Sequence, residues 1–255
     1  MGPYLSSPNT KKDSQTGSDN RFTFSATSMQ GWRNQQEDSH IADLKLPNGE
    51  AIFGVFDGHG GKEVALYVEK KFVETFKKLP EYKSGQYEDA LRRCFILMDE
   101  QMMADKSKDP ITSHSMSAGC TACVAIFTKD SVICANSGDS RCVLARGTTA
   151  LEMSEDHKPD NTEELRRIEA AGGFVEEGRV RGILSLSRAL GDLEYKQNKK
   201  ISVEAQMITC VPEIKTVKLT SEDKFLVIAC DGIWDCLTSQ ESVDFFTKNL
   251  KLRKA

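Results

Sequence analysis

Six short runs of β-branched, aromatic and small apolar residues recur after Asn20: FTFSAT, AIFGVFD, GCTACVAIF, SVICANS, RCVLAR and FLVIACD. Runs of this apolar and β-favouring kind read as strands. Helical patterns lie between them. From Gly61 to Leu79, residues Ala65, Val68, Phe72, Phe76 and Leu79 fall at three- and four-residue spacing with lysines and glutamates opposite. A second stripe runs through Tyr87, Leu91, Cys94, Met98 and Met102, and both predict helices with one core-facing side. A third helix is expected over Thr162 to Ala171, capped by Asp160 or Asn161 and released by Gly172-Gly173. A fourth starts at Thr238, where Glu241 completes a capping box, and reaches about Leu250. Strands and helices come in groups rather than in strict alternation, which favours a layered α+β domain over a parallel α/β sheet.

A chain of 255 residues suits one large domain. Residues 1–20, rich in Ser, Lys, Asp and Asn, read as a flexible N-terminal arm, and residues 21–255 as the domain itself. The formal net charge of −4 excludes a general nucleic-acid binder, so no nucleic-acid partner is expected. No stretch approaches the roughly 20 apolar residues of a membrane span. The N-terminus lacks the apolar core of a secretory signal, so a cytoplasmic location is expected, with membrane association or the nucleus as alternatives. Met1-Gly-Pro-Tyr-Leu-Ser6 fits the acceptor pattern for myristate on Gly2, which would give weak membrane association. Pro3 beside the acceptor leaves an unmodified arm equally open. The eight cysteines sit mostly in apolar runs and read as free buried thiols. Cys120 and Cys123 form a C-x-x-C, but residues three apart on a strand face opposite sides of a sheet.

The chemistry concentrates where apolar runs end. FGVFDGHGG puts Asp57 and His59 inside a cluster of glycines. A dinucleotide-binding turn fails here, because the third glycine of G-x-G-x-x-G is replaced by Glu63. Asp57 at a strand mouth, beside glycines that let a carbonyl approach closely, suits a hard metal ion. Glu37-Asp38 after Trp32-Arg33, Asp139 in NSGDSR and Asp231 in ACDGIWD supply further carboxylates. Together they read as a binuclear metal site, since paired divalent cations need several carboxylates to offset their charge.

The segments MQGWRNQQEDSH, IFGVFDGHGG, ANSGDSR, EDHKPDN, LSLSRALGD and FLVIACDGIWD, in this order, resemble the type 2C protein phosphatases, a family of metal-dependent serine/threonine phosphatases. The resemblance implies a central sandwich of two antiparallel β-sheets flanked by α-helices on both faces. It implies that Asp57 bridges two Mn²⁺ or Mg²⁺ ions, that the Gly58 carbonyl binds one and that Asp231 ligates the other. Glu37 and Asp38 would hold metal-bound waters, and Asp139 with Asp231 a weaker third ion. Arg33 would grip the substrate phosphate with its planar fork. A metal-bridging hydroxide would attack phosphorus, and His59 would give a proton to the departing serine or threonine oxygen. Phosphoproteins are the implied substrates and a monomer the implied state. By the same analogy residues 179–205 form a substrate-side flap, supported by a local Arg188–Asp192 ion pair or capped turn. His157 is expected to be structural, His40 to lie behind Glu37-Asp38, His114 to sit in a Ser-rich loop, and Trp32 and Trp234 to pack near the site.

Complete family members carry one more helix and a strand with an Asp-Asn pair beyond the Asp231 segment. The expectation is therefore a C-terminally shortened domain with one metal ligand fewer and a higher metal requirement. The alternative is an impaired short form acting as a phosphoprotein-binding or regulatory module. A phosphodiesterase or nuclease would use similar carboxylates but wants a basic track that this chain lacks.

Overall fold

The computed structural model describes residues 4–105 and 114–252; Gly2, the candidate acylation site, lies outside them. The chain opens with an antiparallel hairpin of β1 (Asn9–Ser18) and β2 (Thr23–Gly31). Asp19 holds its turn, Oδ1 accepting from the amides of Arg21 and Phe22 at 2.7 Å. Residues 9–18, part of the arm expected over residues 1–20, are thus a strand. β1 is exposed along nearly its whole length and owes its order to the backbone ladder and to pairs such as Ser14 Oγ–Thr27 Oγ1 at 3.0 Å. Such a strand has no apolar pattern to read. Phe22 and Phe24 anchor the hairpin, with ring centroids 4.9 Å from Phe127 and 5.7 Å from Phe53 respectively.

There follow β3 (Ser39–Asp43), β4 (Ala51–Phe56), β5 (Gly58–His59), α1 (Glu63–Lys78), α2 (Pro80–Lys83) and α3 (Tyr87–Asp105). Then come β6 (Gly119–Cys120), β7 (Ala122–Phe127), β8 (Ser131–Ser137), β9 (Arg141–Arg146) and β10 (Thr149–Glu152). The last part holds α4 (Thr162–Ala170), β11 (Val175–Glu176), β12 (Arg179–Val180), β13 (Leu190–Gly191), β14 (Glu213–Lys218), β15 (Asp223–Ala229), α5 (Asp231–Trp234) and α6 (Ser239–Leu252).

Two antiparallel sheets form the centre, one ordered β14-β8-β7-β4-β3 and one ordered β10-β9-β15. Between them lie Cys123, Ala125, Cys134, Cys142, Leu144 and Met153, with Leu226 and Ile228 from β15. The outer face of the larger sheet is covered by α1 and α3 through Val68, Phe72, Phe76, Leu91, Phe95 and Met98. On the outer face of the smaller sheet, Val143 and Ala145 meet Trp234 and Val243. The four layers are thus helix, sheet, sheet, helix, as the resemblance implied. β7 and β8 are buried at nearly every position, which is why their sequences do not alternate. Cys120 and Cys123 fall into different cores, one on each side of the larger sheet.

The expected helix signals are met with one change. Thr238 N and Oγ1 both donate to Glu241 Oε2 at 2.8 Å, and Glu241 N donates back to Thr238 Oγ1 at 3.2 Å, a complete capping box. Asn161 occupies the N-cap of α4, but its side chain donates to the Asp156 carbonyl instead. α4 and the segment between it and β14 share a small core of Ile168, Val180, Ala189, Tyr195, Met207 and Ile208.

Candidate metal centre

Asp57 follows directly on β4, and Thr121 clamps its backbone. Thr121 N donates to the Asp57 carbonyl at 2.9 Å, and Asp57 N donates to Thr121 Oγ1 at 3.1 Å. Gly58 and His59 then pair with Cys120 and Gly119 in a small sheet ordered β13-β6-β5. Position 58 has to be glycine, since a Cβ there would lie 2.6 Å from the Glu37 carbonyl oxygen. That close approach seats the Glu37-Asp38 loop on Asp57.

Asp38, Asp57 and Cys230 bring ligand atoms within 4.8 Å of one another, and the Asp38 and Asp57 carboxyls share a hydrogen bond. Asp231 and Asp139 act electrostatically on the same group. Burial, and then the charges of Asp38, Asp231 and Asp139, push Asp57 up to about 9. Desolvation of its carboxyl raises Asp38 as well, against the lowering by its bonds to Asp57 and Gln36 and by the charge of Arg33. Asp139 is raised by burial even though Lys158 Nζ forms an ion pair with its Oδ2. The Cys230 thiol is pushed up by burial and by the carboxylates of Asp38 and Asp57, so it stays protonated. Lys158 and Arg33 offset the charge of these side chains only in part, and their oxygens are hard donors. The set fits a divalent cation of the Mg²⁺ or Mn²⁺ type better than a soft metal.

His59 Nε2 lies 2.6 Å from Asp192 Oδ2. Burial lowers the imidazole pKa, whereas the Asp192 carboxylate raises it, and the raised value prevails with help from Asp139 and Glu37. Glu37 therefore reaches the centre twice, by its carbonyl against Gly58 and by its charge on His59. Arg33 sits exposed on a loop shaped by Gln30, whose Nε2 donates to the carbonyls of Arg33 and Asn34 at 2.8 and 2.9 Å.

Several expectations need correction. Arg188 does not pair with Asp192; its Nη2 lies 2.6 Å from Glu164 Oε1, and Asp192 turns to His59. His40 Nε2 is bonded to Gln15 Oε1 of β1 at 2.8 Å. Trp32 is 55% exposed and is no packing residue, whereas Trp234 is buried and donates to the Ala229 carbonyl at 2.7 Å. His157 is structural as expected, its Nδ1 accepting from the Gly138 amide beside Asp139. The His114 side chain lies outside the described residues. Asp192, Lys158 and Cys230 were not singled out for the centre from sequence, because their proximity depends on long-range folding.

Comparison with known proteins fixes the lineage. A family model described as protein phosphatase 2C matches residues 22–255. The chain belongs to the protein phosphatase 2C family. It is 49% identical over 256 residues to a probable protein phosphatase 2C 4 of Paramecium tetraurelia, covering 98% of this chain and 85% of that protein. With probable protein phosphatase 2C 21 of Arabidopsis thaliana it shares 42% identity, covering 98% and 82%. Among solved structures, a phosphatase from a pathogenic strain of Toxoplasma gondii superposes with a TM-score of 0.75 at 23% identity, covering 98% of this chain and 85% of that one, a likeness of fold. As a member of the protein phosphatase 2C family the chain is a metal-dependent phosphatase, and its acidic cluster lies where strands of both sheets end.

Proposed function

We propose that this protein phosphatase 2C member hydrolyses phosphoserine and phosphothreonine in proteins at the acidic cluster. Two Mn²⁺ or Mg²⁺ ions would be held by Asp57, the Gly58 carbonyl and Asp231, with Glu37 and Asp38 acting through water and Asp139 available to a weaker third ion. When bound, such ions neutralise phosphate charge and make water nucleophilic at neutral pH. The remaining work falls to the chain. Arg33, exposed beside the cluster, binds the phosphate with a planar fork of donors. His59, whose raised pKa favours the protonated ring, supplies a proton to the departing serine or threonine oxygen, which would otherwise leave as an unstable alkoxide. Asp57 orients the cluster through its clamped backbone and its bond to Asp38.

One observation carries this reading: Asp57 is held in a partly buried pocket against Asp38 and Cys230, where burial and then the charges of Asp38, Asp231 and Asp139 push it up to about 9. Acids are held in such proximity at functional sites that gain a counter-charge on binding. Phosphate release from a phosphothreonine peptide, titrated with Mn²⁺, tests it alongside calorimetric Mn²⁺ binding. Wild type should turn over and bind; Asp57→Asn should do neither. Metal-independent turnover, or equal Mn²⁺ affinity in the variant, would refute the assignment.

A further inference from the structure

Resting on the role given to His59 above, we propose that Asp192 is its positioning residue: it fixes the imidazole by Nε2, so that Nδ1 delivers the proton to the departing oxygen. The contact is short, 2.6 Å, and the Asp192 side chain is almost completely buried. Three features of the fold converge on presenting that carboxylate. Asp192 adopts a left-handed backbone, φ 48° and ψ 40°, a conformation that a non-glycine residue holds only when its surroundings enforce it. Gly119 of β6 gives up a side chain to make room, for a Cβ there would lie 2.3 Å from Asp192 Oδ2. The segment is braced from behind by a buried ion pair between Lys196 and Asp99, side chains only 5% and 9% exposed. Asp99 Oδ1 accepts from the Gly191 amide at 2.8 Å, and Lys196 Nζ donates to the Ala189 carbonyl at 2.7 Å. The Asp192 amide itself donates to the Ala118 carbonyl at 2.9 Å.

A strained residue, a vacated Cβ and a buried ion pair all serve to set one carboxylate against one ring nitrogen. In the chemical step the P–O bond to the leaving group breaks and the oxygen takes the Nδ1 proton. The neutral ring keeps its Nε2 proton on Asp192, which remains a carboxylate, and Nδ1 is reloaded from solvent. A carboxylate behind a histidine orients it in acyl-transfer triads too, there through Nδ1 with Nε2 moving the proton.

The test is leaving-group dependence. A serine or threonine alkoxide needs the proton, whereas p-nitrophenolate departs without it. With saturating Mn²⁺, Asp192→Asn should lower kcat on a phosphothreonine peptide by on the order of 10²-fold, and on p-nitrophenyl phosphate at least about tenfold less. In a His59→Gln background the same substitution should cost nothing further on the peptide. Equal losses on both substrates, or additive losses in the double variant, would overturn the proposal as merely structural. Wild type inactive on both substrates would instead defeat the phosphatase reading on which this rests. Should Asp192→Asn not fold, ¹⁵N-histidine spectra of the wild type decide the contact: at a pH where the ring is neutral, the proton should sit on Nε2, and a proton on Nδ1 would overturn it.

Discussion

Replacing Glu164 by Gln should unhook α4 from the segment that carries Asp192. Glu164 is only 3% exposed, and both carboxylate oxygens are occupied. Arg188 Nη2 reaches Oε1 at 2.6 Å, while Arg167 Nη1 and Ser187 Oγ reach Oε2 at 2.6 and 2.7 Å. Burial alone would raise the Glu164 pKa, but Arg188 and Arg167 outweigh it and hold the carboxyl at about 2, against an ordinary value of 4.5. That gap, at ~1.36 kcal/mol per pKa unit, is worth roughly 3 kcal/mol. The folded value lies below the unfolded one, so the unfolded chain binds more protons in acid. The contribution is full above about pH 4.5 and disappears as the pH falls through about 2. Glu164→Gln should therefore lower stability by roughly 3 kcal/mol at neutral pH, with Arg167 and Arg188 left facing a neutral amide. The gap between the urea midpoints of the two proteins should narrow by about half or more from pH 7 to pH 3. A gap that stays constant over that range would refute the assignment of this stabilisation to the Glu164 charge.

In the metal-free protein Asp57→Asn should raise stability while abolishing metal binding. Burial and the neighbouring acids push Asp57 up to about 9, so the metal-free fold loses stability between about pH 4 and that value, and removing the titrating carboxyl returns up to roughly 4 kcal/mol at pH 7. Urea unfolding in EDTA would show it, and a variant no more stable than wild type would count against the raised value. Lys158 competes with cations for Asp139, so Lys158→Gln should tighten Mn²⁺ binding several-fold by calorimetry. Weaker binding would mean that the lysine supports the centre instead.

The sequence made the layered core legible, because β4, β7, β8 and β15 are apolar enough to announce themselves and the α1 stripe is regular. The acids at their ends were legible for the same reason, each standing where an apolar run stops. Two kinds of feature were hidden. β1 is ordered by backbone pairing with nearly every side chain in water, which leaves no periodicity. The partnerships of Asp192 and Glu164 join residues 133 and 24 positions apart from theirs, in segments whose local composition fits an internal ion pair equally well. Sequence proximity favoured Arg188 with Asp192; three-dimensional packing gave each a different partner.

The position of the centre makes its geometry a property of the whole sandwich. Asp57 follows β4 of the larger sheet, Asp231 follows β15 of the smaller one, and Asp139 lies in the link from β8 to β9 that joins the two. The separation of these carboxylates is thus set by how closely the sheets pack over Cys123, Cys134, Cys142 and Leu144. Leu144 is 1% exposed, and truncating it to Ala should cost about 2–5 kcal/mol and let the sheets shift over the cavity. Val243 of α6 is equally buried but packs on the outer face of the smaller sheet, so Val243→Ala should cost stability without moving the two sheets relative to each other. Leu144→Ala should consequently weaken Mn²⁺ binding several-fold while Val243→Ala leaves it near the wild-type value. Unchanged metal affinity in the folded Leu144→Ala protein would mean that the acids are held by their local clamps, Thr121 on Asp57 and Gly58 against Glu37, and not by the packing between the sheets.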